Sequence, residues 1–294
     1  MMAKVKKLII PAAGWGTRFL PFTKIVHKEL LPILNKPAIS YLIEEANAAG
    51  IEEIFLILAE RKHEIYEYFK RNVELENELK DKQKLELLKE VKKTNLYKNI
   101  HVIIQDAQLG LGHAIATAIK YETATEPYAV ILGDDLIYSP EKPAIGQLID
   151  LYEKTNSTII GVQDVPLKET SKYGVVKPVN ANEKDNEFFK IVDGVEKPKP
   201  EHAPSTKAIM GRYVFTPEFM NELKKQEYKG EEIQVVDAFK EILKKQDIYA
   251  LTIKGTRYDL GNPTGFVKAN IDYALRSDDE DLNTKISEFI KTKK

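Results

Sequence analysis

In the stretch PAAGWGTRFLPFTKIVHKELLP, residues 11–32, two glycines and two cations follow an apolar run, Leu8-Ile9-Ile10. Gly14 and Gly16 let the backbone bend tightly and approach a ligand with no Cβ in the way. Arg18 can fork onto phosphate oxygens, and Lys28 adds a point charge on a flexible stem. A strand end, a glycine loop and two cations together make a site for polyphosphate, in which main-chain N–H groups hold oxygens and the cations offset charge. The same residues also suit an ordinary βα turn with surface cations. The string matches neither G-x-x-x-x-G-K-[ST] nor G-x-G-x-x-G.

Two further places carry chemistry. Asp134 and Asp135 end the apolar run Tyr128–Leu132. Carboxylates there are costly unless exposed, hydrogen-bonded or bound to a metal. A Mg²⁺ site needs only one or two carboxylates, with phosphates and water completing the octahedron. Asp134 is the metal candidate, and Asp259, in Tyr258-Asp259-Leu260-Gly261-Asn262, is the natural second ligand. Asp135 fits a turn or a helix cap. The second place is Gln105 with the run Leu109-Gly110-Leu111-Gly112-His113-Ala114. The Gln105 amide has both a donor and an acceptor, which suits the edge of a pyrimidine. The two glycines permit close approach to a ligand, or equally a tight loop packed on a neighbour. His113 reads as structural or helix-capping. Val195-Glu196-Lys197-Pro198 reads, by composition, as a surface turn.

These residues must be positioned by the elements between them. Apolar, β-rich runs recur at Leu8–Ile10, Ile54–Leu58, Val102–Ile104, Tyr128–Leu132, Thr158–Val162, Ile209–Phe215 and Ile248–Ile253. Helical patterns such as Ala38–Ala49 and His113–Tyr121 separate the early ones. Strands alternating with helices predict βαβ units, a parallel sheet and helices on both faces. In such sheets ligands bind beyond the carboxyl ends of the strands, where the Gly14 loop and Asp134 would share one crevice. Residues 60–95 are highly charged, with Ile65, Tyr68, Phe69, Leu75, Leu79, Leu85 and Leu88 at roughly helical spacing. They predict one or two amphipathic helices that leave the sheet. Residues 163–207 hold five prolines around the apolar islands Tyr173–Val176 and Phe188–Val192, a pattern of irregular hairpins. The tail after Ser277, acidic and then basic, is expected to fray.

The chain has 294 residues, 43% hydrophobic and 30% charged, which fits a globular protein with a large core. A net charge of −1 disfavours general nucleic-acid binding. No cysteine is present, so disulfides, thiolate metal sites and a cysteine nucleophile are excluded, and a cytoplasmic location is expected. Met1-Met2-Ala3-Lys4 leads straight to the first strand with no apolar leader, and no apolar run approaches the roughly 20 residues of a membrane span.

With Arg18, Lys28 and Leu31-Pro32 at their spacing, residues 11–32 resemble the signature of sugar-nucleotide pyrophosphorylases. The likeness covers nearly the whole chain. Tyr173-Gly174-Val175-Val176, Val195-Glu196-Lys197-Pro198, Gly211-Arg212-Tyr213-Val214, Glu232-Ile233-Gln234 with Asp237-Ala238, and Asp259-Leu260-Gly261-Asn262 follow in order. The set resembles the bacterial UTP–glucose-1-phosphate uridylyltransferase family. That resemblance implies an α/β, Rossmann-like, mixed and mostly parallel sheet with helices on both faces, the nucleotide-diphospho-sugar transferase fold. It implies one nucleotidyltransferase domain over 1–294, with the helical excursion at about 60–95 and a sugar-binding, hairpin-rich portion at about 163–215. The activity implied is transfer of uridylyl from UTP to glucose 1-phosphate with Mg²⁺, in a homo-oligomer (dimer or tetramer). Arg18 and Lys28 would act on the phosphates. Ala12, Ala13 and Gly14 would offer backbone to the uracil, with Gln105, Gly112 and Glu29 also at the base. Gly174, Glu196 and Lys197 would hold the sugar phosphate, and Asp134 and Asp259 the metal. His27 and Gly133 stand where the family usually has proline, and His27 is expected to loosen the loop carrying Lys28. The same chemistry with dTTP or a hexosamine 1-phosphate, or a non-catalytic regulatory subunit, are the alternatives.

Overall fold

The computed structural model describes residues 3–94, 99–180, 182 and 186–293. Met1 and Met2 of the expected leader-free start, position 95 of the helical excursion and positions 181 and 183–185 of the hairpin-rich portion lie outside them, as does Lys294.

Leu8, Ile9 and Ile10 are all fully buried, as in a strand covered on both faces. They form β1 (Lys7–Pro11). β1 pairs parallel with β4 (Glu53–Leu58) on one side and β6 (Tyr128–Ile131) on the other, and β4 pairs parallel with β5 (Ile100–Ile104). The nine-stranded sheet continues from β6 through β11 (Lys207–Phe215), β8 (Thr158–Asp164), β12 (Ile248–Thr252), β10 (Phe188–Glu196) and β9 (Gly174–Pro178). β11 runs antiparallel to both its main neighbours, β12 parallel to β8, and β10 antiparallel to β12 and β9. The half of the sheet around β1 is thus parallel. The far half mixes directions because β11 lies antiparallel between β6 and β8, and because β10 turns back antiparallel on β9. The apolar islands expected in irregular hairpins are therefore part of the main sheet. Two small pairs lie beside it: β2 (Pro32–Ile33) with β3 (Lys36–Pro37), and β7 (Asp135–Tyr138) with β13 (Thr256–Asp259).

Alternation along β1 sends Leu8 and Ile10 to one core and Ile9 to the other. The first core takes Ile39 and Leu42 of α1 (Ala38–Ala48) and Ile145 and Leu148 of α6 (Ala144–Thr155). The second takes Ile115 of α5 (Leu111–Thr117), Phe219 of α7 (Pro217–Lys224) and Phe239 of α8 (Phe239–Leu243). Helices therefore cover both faces. The fully buried Arg212 of β11 reaches α1, donating from Nε and Nη2 to the Glu45 carboxylate at 2.9 and 2.7 Å.

The charged excursion forms α2 (Glu64–Glu67), α3 (Val73–Asp81) and α4 (Leu85–Lys93). The carboxyl-terminal tail departs from expectation. It forms α10 (Glu280–Lys291), packed on α9 (Pro263–Leu275). Asp279 caps it by accepting from the Leu282 N–H at 3.1 Å. Leu282, Ile286 and Ile290, four apart, are half-buried along one stripe. Among the described residues no helix is long and apolar enough to cross a membrane.

Candidate active site

Because β1 and β6 are parallel neighbours, the loops after them open at the same edge of the sheet. A cleft of about 490 Å³ lies there, lined by Gly14, Gly16, Arg18, Lys28, Gln105 and Asp134 among others. Gly16 has φ +69°, and a Cβ there would sit 3.2 Å from the Lys28 Cβ. The Thr23 hydroxyl donates to the Gly16 carbonyl at 2.8 Å. The turn thus folds Lys28 back into the cleft, where its ammonium donates to Asp134 Oδ2 at 2.6 Å. Burial alone would raise the Asp134 carboxyl; the Lys28 ammonium overcomes this and holds it below the usual carboxylate range. Both members of the pair are charged. A Cβ on Gly133 would meet the Pro11 carbonyl oxygen at 2.9 Å, so glycine lets the Asp134 turn close on the end of β1.

Asp259 ends β13, opposite Asp135 of β7. Its Oδ1 accepts from the Gly261 N–H at 2.8 Å. A Cβ on Gly261 would fall 2.9 Å from Asp259 Oδ1, 3.0 Å from Asp134 Oδ2 and 3.3 Å from an Arg18 guanidinium nitrogen. Two carboxylates and a guanidinium thus converge on one point that only glycine leaves clear. Asn262 then caps α9 by accepting from the Gly265 N–H at 2.9 Å, and Gly265 lies so close to Asp259 that a Cβ would collide with its carbonyl. Gly265→Ala is expected to cost about 1–3 kcal/mol of stability by this overpacking, and to lower activity by displacing Asp259. Urea denaturation and turnover measured on one preparation check both effects.

The β9–β10 register sets Gly174 opposite Glu196, and a Cβ on Gly174 would lie 3.0 Å from Glu196 Oε2. Lys197 takes φ +44°, its N–H donates to the Tyr173 carbonyl at 3.0 Å, and its ammonium lies 3.2 Å from Glu196 Oε1. A non-glycine residue held at positive φ marks a built feature. Glu196 lines a second cleft of about 840 Å³. Glu232 lines both clefts, so they adjoin.

Several expected site residues have partners within the fold. Glu29 is fully buried, and both its oxygens accept from the Lys62 ammonium, at 3.0 and 2.8 Å. Its carboxylate is committed to that pair in this structure. Lys62 also donates to the Ala12 carbonyl at 2.7 Å, and the Ala12 N–H donates to the Ile57 carbonyl at 2.8 Å. Ala12 therefore spends its backbone groups inside the fold. The Gly112 N–H donates to the Ile233 carbonyl at 2.8 Å, while the Ile233 N–H donates to Leu109 at 2.8 Å. Gly110 and Gly112 are small because Ile233 crosses them: a Cβ on either would come within 2.9 Å of it. Asp135 pairs with Arg257, whose Nη2 donates to Oδ2 at 3.1 Å. His27 tethers its loop, with Nε2 at 3.1 Å from Glu64 Oε2 in α2, where loosening was expected.

The sequence reading passed over Lys62, Arg61 and Gln108. The Arg61 guanidinium stacks 3.5 Å from the Trp15 ring centroid and donates to the Ala13 carbonyl at 3.0 Å. Gln108 donates to the same carbonyl at 2.9 Å, tying the two loops together. Arg61 and Lys62 directly follow the strand beside β1, the one local signal for their role.

A cleft of nucleotide size with paired cations and carboxylates at the parallel edge of this sheet defines a nucleotidyltransferase site. The chain belongs to the nucleotidyl transferase family, whose model matches residues 7–276. It is 47% identical over 291 residues, 99% of each chain, to the UTP–glucose-1-phosphate uridylyltransferase of Staphylococcus epidermidis. The UTP-bound UGPase of Acinetobacter baumannii superposes with TM-score 0.88 at 32% identity, covering 97% of this chain and 98% of that one. A UDP-glucose pyrophosphorylase complexed with UDP-glucose superposes with TM-score 0.80 at 37% identity, covering 93% of this chain and 100% of that one.

Proposed function

We propose that this chain, as one nucleotidyltransferase domain, transfers uridylyl from UTP to glucose 1-phosphate, giving UDP-glucose and pyrophosphate. The observation that carries the reading is the junction of the two clefts. Arg18, Lys28 and Asp134 line one, Glu196 lines the other, and Glu232 lines both. The activities and ligands in the names of the relatives support the same substrates.

In this reading Ala13 and Gly14 bring the loop backbone to the uracil, and Gln105 reads its edge. Arg18 and Lys28 hold the phosphates. Glu196 accepts from sugar hydroxyls, and Lys197 brings in the sugar phosphate. That phosphate oxygen is already anionic, so no general base is needed. The difficulty is to bring two anions together in line. Positioning of this kind is worth roughly 7–11 kcal/mol of barrier at best, and preorganised cations stabilise charge developing on the α-phosphate and leaving pyrophosphate. No covalent intermediate forms.

The donor set fits Mg²⁺. Among the described residues no three acidic or imidazole side chains gather, but Mg²⁺ is held by one or two carboxylates with phosphates and water. Asp134 and Asp259 converge beside Gly261 and would hold it. When bound it would offset charge on the phosphates. Lys28, which neutralises Asp134 here, would then turn to UTP.

Lys197→Ala is expected to raise KM for glucose 1-phosphate roughly tenfold to a hundredfold, from loss of a charge-assisted contact, with little change for UTP. Steady-state kinetics with each substrate varied in turn checks this; equal damage to both removes Lys197 from the sugar site. A competition assay tests the function itself. UTP should outcompete dTTP, and glucose 1-phosphate should outcompete hexosamine 1-phosphates. Preference for another pair would reassign the substrates.

A further inference from the structure

Gln105 is buried at the back of the nucleotide cleft, and its Nε2 lies 2.9 Å from His113 Nδ1. That contact is a hydrogen bond only if Nδ1 is unprotonated and the amide nitrogen donates. We infer that His113 is a positioning residue that fixes the orientation of the Gln105 amide, so that the site accepts uracil and rejects cytosine. The inference rests on the uridylyl reading above and deepens it.

The argument is one of donors and acceptors. With one amide N–H given to Nδ1, Gln105 presents its Oε1 and its second N–H to the cleft. Uracil offers N3–H as donor and O4 as acceptor, which matches the pair. Cytosine offers N3 as acceptor and a 4-amino group as donor, which matches the amide only after it turns over. While Nδ1 accepts, turning would set Oε1 against a nitrogen lone pair, so the turned state is disfavoured. A buried polar group left unpaired costs enough to discriminate strongly between isosteric ligands.

His113 is half-buried in the first turn of α5 and lines a small surface pocket of about 250 Å³ with Asp106, Lys120 and Lys224. Its ring can therefore exchange protons with solvent without passing the substrate. The charges facing it come from three elements. Asp106 follows β5 and Lys120 follows α5, and these two pair at 2.7 Å. Lys224 ends α7 and donates to the Glu122 carbonyl at 2.8 Å. Burial first, and then Lys120, hold the ring below the ordinary histidine range, against the pull of Asp106. At neutral pH the ring is therefore neutral, and in the tautomer that carries its proton on Nε2 the Nδ1 atom accepts from Gln105. As pH falls through the lowered value, Nδ1 gains a proton and becomes a donor. The amide then turns, and the preference for uracil fades.

The test is the ratio of kcat/KM for UTP to that for CTP, followed from about pH 5 to pH 8. Both nucleotides carry the same triphosphate, so its titration cancels in the ratio. In the unmodified protein the ratio should be flat above neutrality and fall roughly tenfold or more in the acid range. His113→Phe, which cannot accept, should show the low ratio throughout, with no pH dependence. His113→Met sets a thioether sulfur, which can accept but not donate and does not titrate, beside Gln105; it should keep more of the UTP preference than His113→Phe and lose the pH dependence. A merely structural role would not separate these two variants. The inference is overturned if His113→Phe retains the original ratio, or if the acid fall survives in His113→Met. Should His113→Phe fail to fold, the pH series on the unmodified protein and on His113→Met still decides. Normal turnover with UTP but a ratio indifferent to position 113 sinks this inference alone. Absence of turnover with UTP at every pH sinks the uridylyl reading and this inference with it.

Discussion

Asp134→Asn is expected to lower kcat by about a thousandfold, which corresponds to ~4 kcal/mol of lost transition-state stabilisation. Asparagine keeps the shape of the side chain. Its amide oxygen can still accept from Lys28, which in the native site donates to Asp134 Oδ2 at 2.6 Å. The fold should therefore survive, and circular dichroism and the urea midpoint should change little. What is lost is one of the two carboxylates that converge beside Gly261. The measurement is turnover as a function of Mg²⁺ concentration. The variant should remain slow even at saturating Mg²⁺. Unmodified turnover at limiting Mg²⁺ would remove Asp134 from the metal site.

Lys62→Met is expected to destabilise the protein by about 3–5 kcal/mol, because it strands the fully buried Glu29 carboxylate. In a chain of this size that is a fall in Tm on the order of 5–10 °C. The pair is almost solvent-free, with side-chain exposures of 2% for Lys62 and 0% for Glu29. Burial pushes the Lys62 ammonium below its ordinary range even though Glu29 opposes this, so its charge depends on that one partner. The ammonium also ties down the Ala12 carbonyl at the root of the glycine loop. The double variant Glu29→Gln with Lys62→Met should recover most of the stability, since no lone charge then remains. Urea denaturation of the single and double variants provides the check. A single variant as stable as the parent would mean that the pair contributes nothing to the fold.

The contrast between Asp134 and Glu29 shows what could be read from the chain. Asp134 was legible because a carboxylate directly after a buried run, beside a glycine loop, has few uses. The partner of Glu29 was not legible, because Lys62 is distant in sequence and carries no motif. Gly110 and Gly112 looked like ligand-contact glycines. They also pack against Ile233, brought in by long-range folding that no local pattern reveals. The partners of Ala12's backbone groups were hidden for a related reason: they depend on what lies alongside the end of β1. The parallel half of the sheet was legible because short apolar runs alternate with helical patterns there. The hairpin half was blurred by prolines. The tail was misread although Asp279, Leu282, Ile286 and Ile290 have cap and helical spacing, because the terminal charges suggested solvation.

The central claim is that UTP and glucose 1-phosphate meet at the junction of the two clefts. The most direct test is to incubate the purified chain with both and Mg²⁺, and to follow pyrophosphate and UDP-glucose together. The account predicts that both appear in equal amounts and only when all three components are present. Pyrophosphate released without glucose 1-phosphate, or no UDP-glucose at all, would contradict it.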